Sequence, residues 1–264
     1  EPQLRAFTGD LLRKPGVSVI GYEGRLHLAR VRDRYDVIDL SLADSAGLSS
    51  PGGFAIVEKY AYTREAMHHA MRALRPGGIL AVTLWNKEEP PKSTMKLYAT
   101  LASAARALAP SDLERSFFVA SSYLSTTSVL YKRGGFTDAD IATLREHTRA
   151  MSFDEIYAPD QAPEPERAAH VLADYREQIF GDGAGTKAAE GKPETDEEGP
   201  AGGRQVPTAD APPNGGEATL PAVTVARAFW QALVHGGHET FAERYVFDTR
   251  ELTNSRPYFA AYVK

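Results

Sequence analysis

The stretch between residues 35 and 85 places the tightest constraint on the fold. Two apolar runs, Tyr35–Leu40 and Ile79–Trp85, are separated by a loop of small residues, a helical segment and an Arg-Pro-Gly-Gly turn. This order predicts a βαβ unit whose strands are parallel and buried on both faces. Ligands of open α/β sheets bind beyond the carboxyl ends of the strands. We therefore expect a site where Ser41 and Asp44 follow the first strand and Asn86 follows the second.

Composition excludes several classes of function. The 264 residues are 42% hydrophobic and carry a net charge of -5, which suits a sizeable core and disfavours nucleic-acid binding. The absence of cysteine excludes disulfides, thiolate metal sites and cysteine catalysis. The histidines do not share a metal-ligand spacing, so we expect no metal site. Apolar runs fall short of the ~20 residues of a membrane span. Both ends are typical of cuts inside a longer protein.

Residues 181–220 differ from the rest of the chain. These 40 residues hold nine Gly, five Pro and eight Asp or Glu, and they contain no aromatic residue. Such a segment buries too little apolar surface to offset its ordering entropy, so we predict a disordered acidic insert. An interaction tail for a basic partner is the alternative. The insert would separate a main domain (1–180) from a C-terminal helix and aromatic segment (221–264) that docks on it.

Periodicity and capping residues predict the remaining elements. Residues 45–61 form a long loop that could cover the site. Thr63 and Thr137 are expected to cap helices. Strands are expected at Val17–Ile20, Phe117–Ala120 and Ser128–Tyr131, and helices at about 25–31, 63–75, 94–108, 164–180 and 223–235, with another beginning near residue 138.

The order of these elements resembles the back half of the class I S-adenosylmethionine-dependent methyltransferase fold. The amino-acid sequence is similar to that of the membrane-associated spermidine-synthase-like proteins of bacteria at Tyr35–Ile38, Asp44, Gly47, residues 62–80 and Leu84–Trp85. The resemblance covers about residues 10–150 and 240–260. It implies an α/β, Rossmann-like methyltransferase sheet with the strand order 3-2-1-4-5-7-6. Neither the glycine-rich loop nor the ribose-binding acid of the family is present, so we expect the sheet to be incomplete, with its first two strands missing.

The resemblance also implies ligands and surroundings. The donor would be S-adenosylmethionine or decarboxylated S-adenosylmethionine, without a metal, and the acceptor a small amine or polyamine-like molecule. The intact parent would lie on the cytoplasmic face of the bacterial inner membrane, tethered through segments outside this chain, and could form a homodimer. The fragment alone is expected to bind either donor poorly and to be inactive.

Site residues follow from the family's motifs. An acidic residue after the third strand reads adenine in the family, and Glu23, with Gly24 beside it, occupies that position; a solvated turn is the alternative. The family's Asp-x-x-Asp-Pro motif corresponds to Ser41 through Ser45. Its general-base position therefore holds Ser41, which cannot accept a proton without a neighbouring base. Asp39 could substitute for that base or be purely structural. Asp44 would face the ligands, both donor and acceptor, or cap a loop.

Three functions remain open from the sequence. The first is a spermidine-synthase-like or methyl transferase domain. The second is a degenerate, non-catalytic binding or scaffolding domain of a membrane protein, which Ser41 at the base position favours. The third is a dehydrogenase-like nucleotide domain, against which the paired late strands argue.

Overall fold

The computed structural model describes residues 7, 9–10, 13–42, 59–86, 88–122, 125–181 and 220–259. Most of the predicted loop at 45–61 and nearly all of the predicted acidic insert at 181–220 lie outside these residues. The described helices are α1 (Gly24–Arg30), α2 (Arg64–Ala73), α3 (Ser93–Leu108), α4 (Asp138–Ala150), α5 (Pro165–Phe180), α6 (Pro221–His235) and α7 (His238–Arg244). The strands are β1 (Tyr35–Ser41), β2 (Leu74–Trp85), β3 (Phe117–Ser121), β4 (Thr126–Lys132) and β5 (Asp154–Tyr157).

The five strands form one mixed sheet in the order β1-β2-β4-β3-β5. β1 and β2 are parallel, as their helical crossover through α2 requires, while β4 is antiparallel to both β2 and β3, and β5 is antiparallel to β3. Read across the sheet, β1, β2, β4 and β3 thus correspond to strands 4-5-7-6 of the expected methyltransferase order. The predicted α/β, Rossmann-like sheet is confirmed for this half, and β5 extends it at the far edge.

Two predictions about the open edge were wrong. Val17–Ile20 is not a strand; these residues have no regular structure, and Val19 and Ile20 are 64% and 51% exposed. An isolated extended run gains no ladder hydrogen bonds, and among the described residues no strand pairs with this one. β1 is not buried on both faces either. Val37, Asp39 and Ser41 are exposed while Ile38 and Leu40 are half-buried, because only one face of this edge strand is covered.

The main core lies on the covered face of the sheet. Leu80, Val82 and Leu84 of β2 are buried there against apolar residues of α2, α3 and α6. Trp230 of α6 is fully buried, with its ring 4.9 Å from that of Phe117 and 5.5 Å from that of Tyr157. Aromatic pairs at such separations stabilise the fold beyond their buried area, by about 0.5–1.5 kcal/mol each.

The turn into β2 explains its Pro-Gly-Gly sequence. Gly77 has a φ of +81°, which favours glycine. A Cβ on Gly78 would lie 2.9 Å from the Tyr35 carbonyl oxygen, so β2 can approach β1 at this point only without a side chain. The Arg133 guanidinium donates to the Leu74 carbonyl on the other side of the turn. The register of the parallel pair is therefore fixed at its amino end.

Residues 245–259 pack on α3 and the start of α2. The Tyr245 hydroxyl donates to the Pro91 carbonyl, and the Leu252 N–H donates to Thr100 Oγ1 at 2.8 Å. Lys96 Nζ lies 3.3 Å from Asp248 Oδ2, and both side chains are almost completely buried. These polar contacts orient the segment at one end of the molecule; the division into domains at residues 180 and 221 stays a prediction.

Candidate functional site

The carboxyl ends of β1 and β2 lie side by side. Ser41 is the register partner of Thr83, and the N–H of Leu42 donates to the Thr83 carbonyl at 2.9 Å. Because the strands are parallel, both lead to the same edge of the sheet. The prediction that these two ends are neighbours is therefore confirmed.

A line of polar side chains crosses the open face next to this edge. Ser41 Oγ donates a hydrogen bond to Asp39 Oδ1, since the two residues alternate onto the same face of β1. Ser41 Oγ is 3.3 Å from Thr83 Oγ1, which in turn is 2.9 Å from Ser128 Oγ of β4. An ionised carboxylate only accepts hydrogen bonds, so Asp39 fixes the direction of the Ser41 hydroxyl. The lone pairs of Ser41 Oγ are then directed away from Asp39.

The structure shows the surroundings of the Asp39 side chain, which the sequence did not determine. Its carboxylate is exposed on the uncovered face, so it incurs no burial penalty there. It accepts a hydrogen bond from Ser41, and within the described part of the chain it forms no ion pair with a cation. The rim of the sheet therefore carries the Ser41 hydroxyl, which is hydrogen-bonded to the Asp39 carboxylate. Asp44 lies outside the described residues.

Glu23 and Gly24 start helix α1. The two carboxylate oxygens of Glu23 accept from the N–H groups of Arg25 and Leu26, at 3.1 and 2.9 Å, as an N-cap does. The side chain is about half exposed. Gly24 is exposed, and no described atom lies within 4 Å of where its Cβ would be, so glycine is not required by packing. Turning Glu23 toward a ligand would exchange two cap bonds for new ones.

The end of β2 is held by the neighbouring strands. Asn86 Nδ2 donates to Ser121 Oγ at 2.8 Å, and the Asn86 N–H donates to the Ser125 carbonyl. The cavity beside it measures only about 10 Å³, about the size of one water. Asn86 therefore connects β2 to β3 and β4, and Trp85 lies half-buried before it.

Sequence analysis did not identify Thr83 and Ser128. A hydroxyl in the apolar run Ile79–Trp85 was the available signal, but its partner across the sheet depends on the register. That register pairs Ser41 with Thr83 and Thr83 with Ser128. The two hydroxyls were thus predictable as polar positions and not as neighbours of Ser41.

The described residues fit an S-adenosyl donor only in part. They supply Glu23, which is occupied as a helix cap, and the polar group around Ser41. The part of the chain described here contains no group of three or more His, Asp or Glu suited to a metal ion, and none of its helices is long and apolar enough to cross a bilayer. A complete donor cradle is not formed by these residues.

Comparison with known proteins gives partial likenesses. No family model matches the chain, and a search of curated proteins returns no match. Among solved structures, a spermidine synthase in complex with the transition state analogue AdoDATO has a TM-score of 0.31 at 12% identity, covering 52% of this chain and 41% of that one. Spermidine synthase from Thermotoga maritima has a TM-score of 0.30 at 12% identity, covering 53% of this chain and 41% of that one. A probable spermidine synthase from Corynebacterium glutamicum ATCC 13032 has a TM-score of 0.39 at 13% identity, covering 75% of this chain and 63% of that one.

The chain thus spans about two fifths of the first two structures and less than two thirds of the third. These overlays are too weak to carry the assignment. The fold is identified by the order of the strands and by the parallel β1–β2 pair. It is an α/β fold whose sheet has the strand order of the back half of a Rossmann-like methyltransferase.

Proposed function

We propose that this chain belongs to a transferase of the spermidine synthase type, which moves an alkyl or methyl group from an S-adenosyl donor to a small amine acceptor. The observation that carries the proposal is the Ser41–Asp39 hydrogen bond at the rim where β1 and β2 end together. Supporting it are the strand order and the motif resemblance around residues 35–85. The membrane tether, the cytoplasmic side and a homodimer belong to the same proposal for the parent protein.

The described residues would act on the acceptor. A protonated amine must lose a proton to expose its lone pair, and a positioned carboxylate can take that proton. Ser41 accepts a hydrogen bond from the amine N–H through a lone pair, while its own hydroxyl hydrogen stays hydrogen-bonded to the Asp39 carboxylate. Asp39 receives the proton, directly or through Ser41. Holding the amine in line with the reacting carbon would contribute most of the acceleration.

The donor would supply the electrophilic carbon beside its sulfonium. The amine nitrogen would bond to that carbon while the carbon–sulfur bond breaks, and the sulfur would leave as a neutral thioether. Glu23 would accept from the adenine amine, Gly24 would leave room beside it, and Asp44 would face both ligands. These roles, and S-adenosylmethionine or its decarboxylated form as the donor, are what the resemblance to the family implies.

The proposal is tested by following transfer to putrescine by mass spectrometry, with each donor in turn and the longest natural chain that contains these residues. Asp39→Asn and Ser41→Ala should each lower kcat by roughly 10²-fold, since a positioned general base contributes about 10²–10⁴-fold. The control is Asp36→Asn, an exposed carboxylate of the same strand that pairs with Arg75. Equal rates for Asp39→Asn and Asp36→Asn would overturn the proposal.

A second function, a non-catalytic binding domain, is favoured by two observations. Serine occupies the base position, and both oxygens of Glu23 are engaged by backbone N–H groups. Under this alternative the same chain shows neither transfer nor calorimetric binding of either donor. Calorimetric binding of a donor, together with measurable transfer by the wild-type chain, would contradict this alternative.

A further inference from the structure

Another cavity lies away from the sheet rim, between α5, α6 and α7. Its volume is about 410 Å³. Most of its wall is apolar, and Ala168, Leu172, Ala228 and Phe241 are among the lining residues. None of the polar residues discussed above for β1, β2 and β4 lines it. The cavity is therefore large enough for a small molecule and independent of the proposed transferase site.

Two buried polar atoms at this cavity are unsatisfied. Thr224 lines the wall and is 3% exposed, yet its hydroxyl oxygen has no hydrogen-bond partner among the described residues. The side-chain oxygen of Gln161, also in the wall, is buried and unpartnered within the same part of the chain. Neither oxygen is exposed to the cavity, so both atoms lie behind its surface and are not themselves ligand contacts.

The charged groups at the cavity are mainly cationic. Arg227 lies half-buried in the wall, where its Nε donates to the Glu155 carbonyl at 2.9 Å, and Arg244 lies exposed at the mouth. The one acidic residue of the wall, Glu164, lies 3.5 Å from Arg167. Guanidinium groups prefer carboxylates and hold them through paired hydrogen bonds.

From the cavity and the two arginines, we infer that α5, α6 and α7 form a binding site for a small amphipathic carboxylate. The apolar body of the ligand lies against the alanines, Leu172 and Phe241. Its carboxylate accepts from Arg227 and Arg244. The position on the helical layer, remote from the polar rim, makes it a second ligand site of the protein.

The test is isothermal titration of the purified chain with decanoate, with decan-1-ol as the uncharged probe. Decanoate should bind with a Kd below about 1 mM and at least about tenfold more tightly than decan-1-ol, because the charge-assisted contacts are lost in the alcohol. Equal affinity for the two probes, or no heat from decanoate at about 1 mM, would overturn the inference.

Paired variants localise the binding. Ala169→Trp blocks the mouth from an exposed helical position and should abolish decanoate binding, whereas Ala173→Trp, exposed on the same helix outside the cavity, should not. Arg244→Gln should weaken binding by about tenfold, and Arg176→Gln should leave it unchanged. Identical isotherms for the two tryptophan variants would contradict the site.

Discussion

The smallest unit of the account is the pair formed by Asp39 and Ser41. Alternation along a strand places residues two apart on the same face, so the sequence could predict that these side chains meet. Whether the carboxylate also met a cation, or was buried, depended on what covers the face. The exposed position of β1 decides this question in favour of a solvent-exposed carboxylate that accepts from Ser41.

Another single residue, Thr63, connects three segments. Its Oγ1 accepts from the Ala66 N–H at the start of α2, and lies 3.0 Å from both the Tyr60 carbonyl and Asn254 Oδ1. Thr63→Ala should lower the free energy of unfolding by about 1–2 kcal/mol, the upper range for an N-cap, as measured in urea. Thr143→Ala, exposed on α4, is the control and should change it by less than about 0.5 kcal/mol. Similar losses for both would contradict the assigned role.

At the scale of elements, the buried Lys96–Asp248 pair connects α3 to the C-terminal segment. Burial lowers the pKa of the Lys96 ammonium, and the charge of Asp248 opposes that shift. Burial alone would raise the pKa of the Asp248 carboxyl, but hydrogen bonds from Arg250 and the charge of Lys96 bring that pKa below its ordinary value. The carboxylate is thus the charged form that the folded state favours.

The sign of the acid dependence follows from that lowered pKa. A carboxyl whose pKa is lower when folded stabilises the protein above its unfolded pKa of about 3.9, and this stabilisation is lost as the pH falls through the folded pKa. Thermal melts between about pH 6 and pH 3 should therefore show a steeper loss of Tm for the wild type than for Lys96→Met/Asp248→Asn. Parallel curves would show that the pair does not contribute to acid unfolding.

Removing one partner of this pair is a separate prediction. Asp248→Asn leaves the buried Lys96 charge without its carboxylate and should lower the free energy of unfolding by about 3–5 kcal/mol at neutral pH. The double variant Lys96→Met/Asp248→Asn should recover most of that loss, since no uncompensated charge remains. Urea titrations of the three proteins measure both effects; a double variant less stable than Asp248→Asn would contradict the explanation.

The elements predicted from periodicity and capping were found where the pattern was long. α2, α3, α5, α6, β2 and β4 all match, and the capping box at Thr137 is present. β5 and α7 were missed because each is short, four and seven residues, and is defined by tertiary contacts. The strand predicted at Val17–Ile20 is not formed, because its strand-like sequence has no partner strand among the described residues.

The whole molecule is a sheet with one face covered and the other partly open at the β1 edge. Strand order and crossover were predictable because a helical connection forces β1 and β2 to be parallel. The line of hydroxyls from Ser41 to Ser128 was not, because it depends on register across three strands. The helical cavity was not either, since its walls come from segments separated by about 60 residues of sequence.

The central claim is that the rim formed by β1 and β2 binds an amine acceptor through Asp39 and Ser41. The most direct measurement is a calorimetric titration with putrescine, with butane-1,4-diol as the uncharged analogue of the same length, on the wild type, Asp39→Asn and Asp36→Asn. The account predicts that putrescine binds the wild type and Asp36→Asn alike and binds Asp39→Asn about tenfold more weakly, because one charge-assisted hydrogen bond is lost. Equal binding of putrescine to all three proteins, or of the diol and the diamine to the wild type, would contradict it.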